Sequence, residues 1–103
     1  MTDPVKAIAR RIGRHCAPLA VAEIHDQSSA PWRTLLFDGA RHRIELNLHG
    51  ERTDEALAAL EEGIEDADFA IAGHLVAELR VAEIARNGSD LLVTLDALTI
   101  EMG

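Results

Sequence analysis

The hydrophobic and polar positions in the last third of the chain predict one long β-hairpin from Phe69 to Glu101. Apolar residues alternate with polar ones on both sides of Arg86-Asn87-Gly88, which indicates a turn. A three-residue turn with a G1 bulge needs glycine at its third position, which Gly88 supplies. This turn places Leu79 opposite Leu95. One face of the hairpin is then apolar along its length, so we expect that face to lie in the core.

The other face of this hairpin is uneven, because it is charged in the middle and apolar toward its open end. The residues predicted to form this apolar end are His74, Val76, Leu98 and Ile100. Contiguous apolar surface on an acidic protein usually marks an interaction site. The pattern therefore predicts an interface at these four residues, with a second copy of the chain as the expected partner. The alternative covers are the amino-terminal segment of the same chain and a curvature that closes the sheet on itself.

Two amphipathic helices are predicted outside this hairpin. Asp3-Pro4 is a favourable helix start, and apolar residues recur after it at helical spacing up to Ile12. Thr53 caps a second helix that runs to about Glu65. The first helix carries basic residues on its polar side and the second carries acidic ones, so we expect two surface helices that pack on a sheet.

Three strands are predicted between the helices, at residues 18–26, 32–37 and 42–49, with loops at 27–31 and 38–41. The second loop contains Asp38-Gly39, and a four-residue loop is preferred over a two-residue turn because it pairs Leu35 with Ile44. The fold predicted for residues 1–103 is a single α+β domain of two layers. It has a five-stranded antiparallel sheet with both helices on one face, in the order αβββαββ.

Charge is unequally distributed along the chain. Residues 1–50 carry seven Lys and Arg against five Asp and Glu, whereas residues 51–103 carry three against thirteen, and the net charge is −8. Binding to phosphate backbones needs clustered positive charge. Nucleic acid is therefore not expected as a partner.

Cysteine usage and hydropathy bear on the compartment. The single cysteine excludes an internal disulfide and suits a reducing compartment. Basic residues interrupt the first apolar stretch, which argues against a secretory signal, and no run reaches the roughly 20 apolar residues of a membrane span. We expect a cytoplasmic protein with no membrane partner.

Candidate catalytic and metal-binding residues are few. The five histidines, at positions 15, 25, 42, 49 and 74, are scattered without the spacing of a metal motif. One combination, His25 and His49 with Glu23 and Glu45, would converge across the predicted strands. No catalytic set, metal site or cofactor is predicted.

Polar residues alternate on the strand at 42–49 and supply a second hypothesis. A ligand platform would consist of Arg43, Glu45, His49 and Arg80, in line with the charged middle of the final hairpin. A solvated sheet face explains the same pattern. A small-molecule-binding protein or minor enzyme that uses this polar face is therefore the alternative function.

The leading functional hypothesis is a small non-catalytic interaction module that self-associates through the outer face of its C-terminal hairpin. A further protein or peptide partner fits the same surface. The predicted order of elements is similar to that of secretion chaperones, which dimerise and bind extended polypeptide segments, although their last helix is missing here. This resemblance is one of topology, and it implies dimerisation and peptide binding by analogy.

Overall fold

The computed structural model describes residues 3–66 and 70–102, with side chains described at all of these positions except 65, 66 and 70. Phe69, the predicted start of the final hairpin, lies outside the described residues. In chain order the elements are α1 (Pro4–Cys16), β1 (Val21–Arg33), β2 (Asp38–His49), α2 (Thr53–Asp66), β3 (Ala70–Ile71), β4 (His74–Asn87) and β5 (Asp90–Glu101).

The predicted α+β class with two helices and an antiparallel sheet is confirmed, but the prediction of five strands is wrong. Within the described residues the sheet has four long strands, in the order β1-β2-β5-β4, and the two-residue β3 is added beside β4. Residues 18–37 were expected to form two strands and a loop, but β1 continues through Gln27–Pro31. Each residue of that segment pairs with a residue of β2, so neighbouring backbone overrides its loop-like composition.

The two helices and one sheet face enclose the hydrophobic core. Ile8 and Ile12 of α1, Leu60 of α2 and the inward residues of β2 and β5 form one buried cluster. Asp3 caps α1 by accepting a hydrogen bond from the Val5 N–H at 3.0 Å. We call the sheet face opposite the helices the outer face. Across the described chain, neither helix is both long enough and apolar enough to cross a membrane.

The hairpin between β1 and β2 turns earlier than predicted. Its turn is formed by Thr34–Phe37, because the Thr34 Oγ1 accepts hydrogen bonds from the N–H groups of Leu36 and Phe37. Gly39 lies within β2, opposite Trp32 and Ile100. A Cβ at Gly39 would come within 3.2 Å of the Ile100 Cα and closer still to the Thr99 carbonyl oxygen. Gly39 therefore permits the close approach of β2 and β5, and it is not part of the turn.

The predicted register of the final hairpin is also wrong. Asn87 pairs with Asp90 across a two-residue turn whose first residue, Gly88, has φ +64°. Leu79 consequently lies opposite Ala97 and not Leu95. The register shifts twice along β4, between Val76 and Glu78 and between Val81 and Glu83. A β-bulge inserts one residue and reverses the alternation of side chains beyond it, so these shifts change which residues reach the outer face.

Candidate functional site

An apolar row crosses the outer face at the end of the sheet where β5 ends, which we call the open end. Each member pairs with the next across neighbouring strands: Trp32 of β1 with Gly39 of β2, Gly39 with Ile100 of β5, and Ile100 with Leu75 of β4. Directly paired residues in an antiparallel sheet project from the same face, so the side chains of this apolar row lie together. Leu75 is 49% exposed, and Trp32 and Ile100 are half-buried.

The hairpin tip, residues 34–37, extends the apolar row. Leu35 is fully exposed, Leu36 is 84% exposed and Phe37 is exposed as well. The tip has a defined backbone, since the Thr34 N–H donates to the Phe37 carbonyl at 2.9 Å in addition to the two bonds that the Thr34 side chain accepts. Three large apolar side chains are therefore presented to solvent by an ordered turn.

An ion pair covers the row next to the apolar row. Leu98 lies between Arg41 of β2 and Glu78 of β4, and these two side chains meet above it with Nη1 and Oε2 3.4 Å apart. Leu98 is only 6% exposed, although it projects from the outer face. The aliphatic part of the arginine shields apolar surface while its charged end stays hydrated.

Further ion pairs continue along the outer face. Arg80 donates to Asp96 at 3.0 Å, and Arg43 lies 3.4 Å from Glu83. Both pairs are substantially exposed to solvent, so each contributes only about 0–1 kcal/mol to folding. We refer to the pairs Arg41–Glu78, Arg43–Glu83 and Arg80–Asp96 as the ion-pair array.

The structure separates the four residues predicted to form the interface. Leu98 and Ile100 lie on the outer face, but Val76 packs against the core and His74 faces the same side. The bulge between Val76 and Glu78 causes this separation because it turns Val76 inward and Leu75 outward. Of the predicted four, Ile100 is thus the member that joins the apolar row.

The four predicted platform residues all lie on the outer face, but the structure brings only some of them together. Arg43 and Arg80 flank Asp96, and Glu45 lies in the next row beside Thr94. Of the four, Arg43 and Arg80 border a depression of about 400 Å³ whose lining also includes Ser28, Arg41, Glu78 and Asp96. His49 is six residues from Arg43 along β2, which is about 20 Å.

His49 belongs to a separate polar group at the far end of the outer face. Its Nδ1 lies 2.9 Å from Asp90 Oδ2, and its Nε2 lies 3.1 Å from Asn47 Nδ2 and 3.6 Å from Glu23 Oε2. The Nδ1 position can donate to the Asp90 carboxylate, and Nε2 can accept a hydrogen bond from the Asn47 amide. Across the described residues, no set of three or more His, Cys, Asp or Glu side chains has the arrangement needed to hold a metal ion.

A buried histidine lies under the start of α1, on the helix side of the sheet. His42 is 6% exposed, with Nδ1 2.6 Å from Ser29 Oγ and Nε2 2.8 Å from Thr99 Oγ1. Burial lowers the pKa of His42, the charge of Asp3 opposes that effect and His74 adds to it. The two hydroxyl groups satisfy the neutral ring, so His42 is explained as a core residue.

The sequence interpretation missed the hairpin tip and Leu75 as outward-facing apolar residues. One local signal for the tip exists, because Arg33 and Asp38 flank Thr34–Phe37 symmetrically and form an ion pair at 3.6 Å. Thr34 followed by two leucines fits a turn in which a threonine side chain bonds the next N–H groups. Leu75 had no local signal, since its orientation depends on the bulge that follows it.

No family model, curated protein or solved structure matches this chain. The topological similarity to secretion chaperones therefore gains no support.

Proposed function

We propose that this chain is a small cytoplasmic interaction module that self-associates through the open end of its outer face. The observation that carries the proposal is the apolar row together with the exposed apolar hairpin tip, which begins two residues after Trp32. Exposed apolar surface of this continuity is uncommon on monomeric proteins. The single cysteine, Cys16, supports the assignment to a reducing compartment.

Charge supports a second copy as the partner despite the net charge of −8. The second helix carries Asp54, Glu55, Glu61 and Glu62 and lies on the opposite side of the sheet. On the outer face, the arginines next to the apolar row pair with acids of the same chain. Two copies that meet there bring neutral surfaces together, so long-range repulsion is small at the contact.

Sedimentation of a Leu75→Ser variant tests self-association. Leu75 is half exposed, so its burial in a symmetric dimer contributes about 1 kcal/mol per copy and about 2 kcal/mol in total. We expect the dimer Kd to rise about thirtyfold. Val21→Ser is the matched control, because Val21 is 60% exposed at the other end of the outer face. A wild-type chain that sediments as a monomer at every accessible concentration would refute the proposal.

A small anionic ligand is the second candidate, and the depression beside the ion-pair array is the observation that favours it. It ranks below self-association because Arg41, Arg43 and Arg80 already engage acids, which a ligand would have to displace. Thermal unfolding in the presence of phosphate and small carboxylates tests it. A rise in Tm that an Arg80→Gln variant abolishes is the expected result for this candidate, whereas an unchanged Tm excludes these ligands.

A further inference from the structure

The hairpin tip is the most exposed apolar element among the described residues, and none of those residues covers it. Leu35 and Leu36 project from a turn that three hydrogen bonds to Thr34 and Phe37 hold in place. An ordered turn cannot fold back to bury these side chains without losing those bonds. The tip is therefore built to meet a surface outside its own chain.

The location of the tip relative to the apolar row determines what one symmetric contact can bury. Trp32 belongs to the row and stands two residues before Thr34. In an isologous dimer, a contact between one residue of the first copy and another residue of the second is repeated with the copies exchanged. An arrangement that places the tip of one copy over the apolar row of the other therefore also places the second tip over the first row, and this one arrangement covers both features.

We propose that the Leu35-Leu36-Phe37 tip of each copy docks on the Trp32, Ile100 and Leu75 side chains of the other. This inference rests on the proposed self-association and specifies its contacts. The charged side chains that border the proposed contact fit a second copy, because they are paired within each chain. Arg33 pairs with Asp38 at the base of the tip, and Arg41 pairs with Glu78 beside the row. These four side chains therefore do not require an oppositely charged partner.

Cross-linking between differently marked chains tests this arrangement. One chain carries Leu36→Cys, the second carries Leu75→Cys, and a mass tag on the second identifies mixed products of a short bismaleimide. The native Cys16 is fully buried, and burial raises the pKa of its thiol, so its background reaction is slow. Leu36→Cys mixed with Val21→Cys is the control pair, since Val21 lies at the far end.

The expected result is a mixed product from the first pair, at least tenfold more abundant than from the control pair. A Leu36→Ser variant should in addition raise the dimer Kd at least tenfold. Leu36 is 84% exposed in the single chain, so this substitution leaves the fold intact.

Three other results would overturn the inference in distinguishable ways. A dimer that persists in Leu36→Ser without the mixed product refutes tip docking and leaves self-association standing. A wild-type chain that is monomeric throughout refutes both proposals. A monomer that co-floats with neutral phosphatidylcholine vesicles, and loses this property in Leu36→Ser, assigns the tip to a lipid surface instead of a second copy.

Discussion

Replacing Gly39 by alanine should destabilise the fold at the open end of the outer face. Gly39 lies inside β2, where the backbone of β5 approaches it closely. An added Cβ would lie 3.1 Å from the Thr99 carbonyl carbon and 3.2 Å from the Ile100 Cα, and nearer still to the Thr99 oxygen. All three are backbone atoms, so no side-chain rotation can relieve the contact and the two strands must move apart.

The expected magnitude follows from that strand separation. Overpacking a well-packed site costs about 1–3 kcal/mol. Weakening one adjacent ladder hydrogen bond costs about 1 kcal/mol more. We therefore expect Gly39→Ala to lower the free energy of unfolding by about 2–4 kcal/mol, which corresponds to a fall in Tm of roughly 10–20 °C for a domain of this size.

Urea unfolding followed by far-UV circular dichroism measures this loss, at matched protein concentrations because association adds to apparent stability. Gly13→Ala is the control, since nothing lies within 4 Å of a Cβ at this position in α1. Alanine there should stabilise the helix by about 0.5–1 kcal/mol. A free energy of unfolding for Gly39→Ala within about 0.5 kcal/mol of the wild-type value, the range of ordinary surface substitutions, would contradict the predicted strand separation.

Two further predictions concern buried groups near the open end. Burial lowers the pKa of His42 below its ordinary 6.5, against the opposing charge of Asp3 and with a contribution from His74, so the unfolded chain binds the proton more readily. The contribution of His42 to the free energy of unfolding should therefore be complete above pH 6.5 and decrease as the pH falls below it. Urea titrations at pH 7.5 and pH 5.5 measure this decrease. A His42→Gln variant that shows the same decrease would contradict the prediction. Arg41→Met, which keeps the aliphatic cover over Leu98, should lie within about 0.5 kcal/mol of the wild type, because an exposed ion pair is worth little. Arg41→Ala should lose about 1 kcal/mol through uncovered apolar surface, and equal losses in both variants would assign the effect to charge.

Local pattern was enough to predict both helices and the antiparallel character of the sheet. Asp3-Pro4 and the spacing up to Ile12 act within a few turns of one helix, so neighbouring residues determine the outcome. The turn before Gly39 was misplaced because its correct position depends on a contact with Thr99, which is 60 residues away in sequence. Local residue propensities do not depend on a contact between residues so far apart in the sequence.

The bulges in β4 limited prediction of the site for a related reason. Ala77 and Ala82 are the residues inserted at the two register shifts. Alanine is small enough for either sheet face, so neither residue disturbs the alternating pattern read from the sequence. The predicted outer face was consequently correct for Ile100, and it was reversed at Val76 and Leu75.

The same bulges favour association through the outer face over pairing of sheet edges. The strand β1 forms one edge, and it contains a register shift between Ile24 and Asp26 as well as Pro31, which lacks an N–H donor. At the other side, β4 carries two bulges along an edge that β3 extends at His74 and Leu75. Bulges and proline are the features by which edge strands resist pairing with another sheet. Regular edge-to-edge growth is therefore disfavoured on both sides, whereas the bulge between Val76 and Glu78 turns Leu75 outward and completes the apolar row.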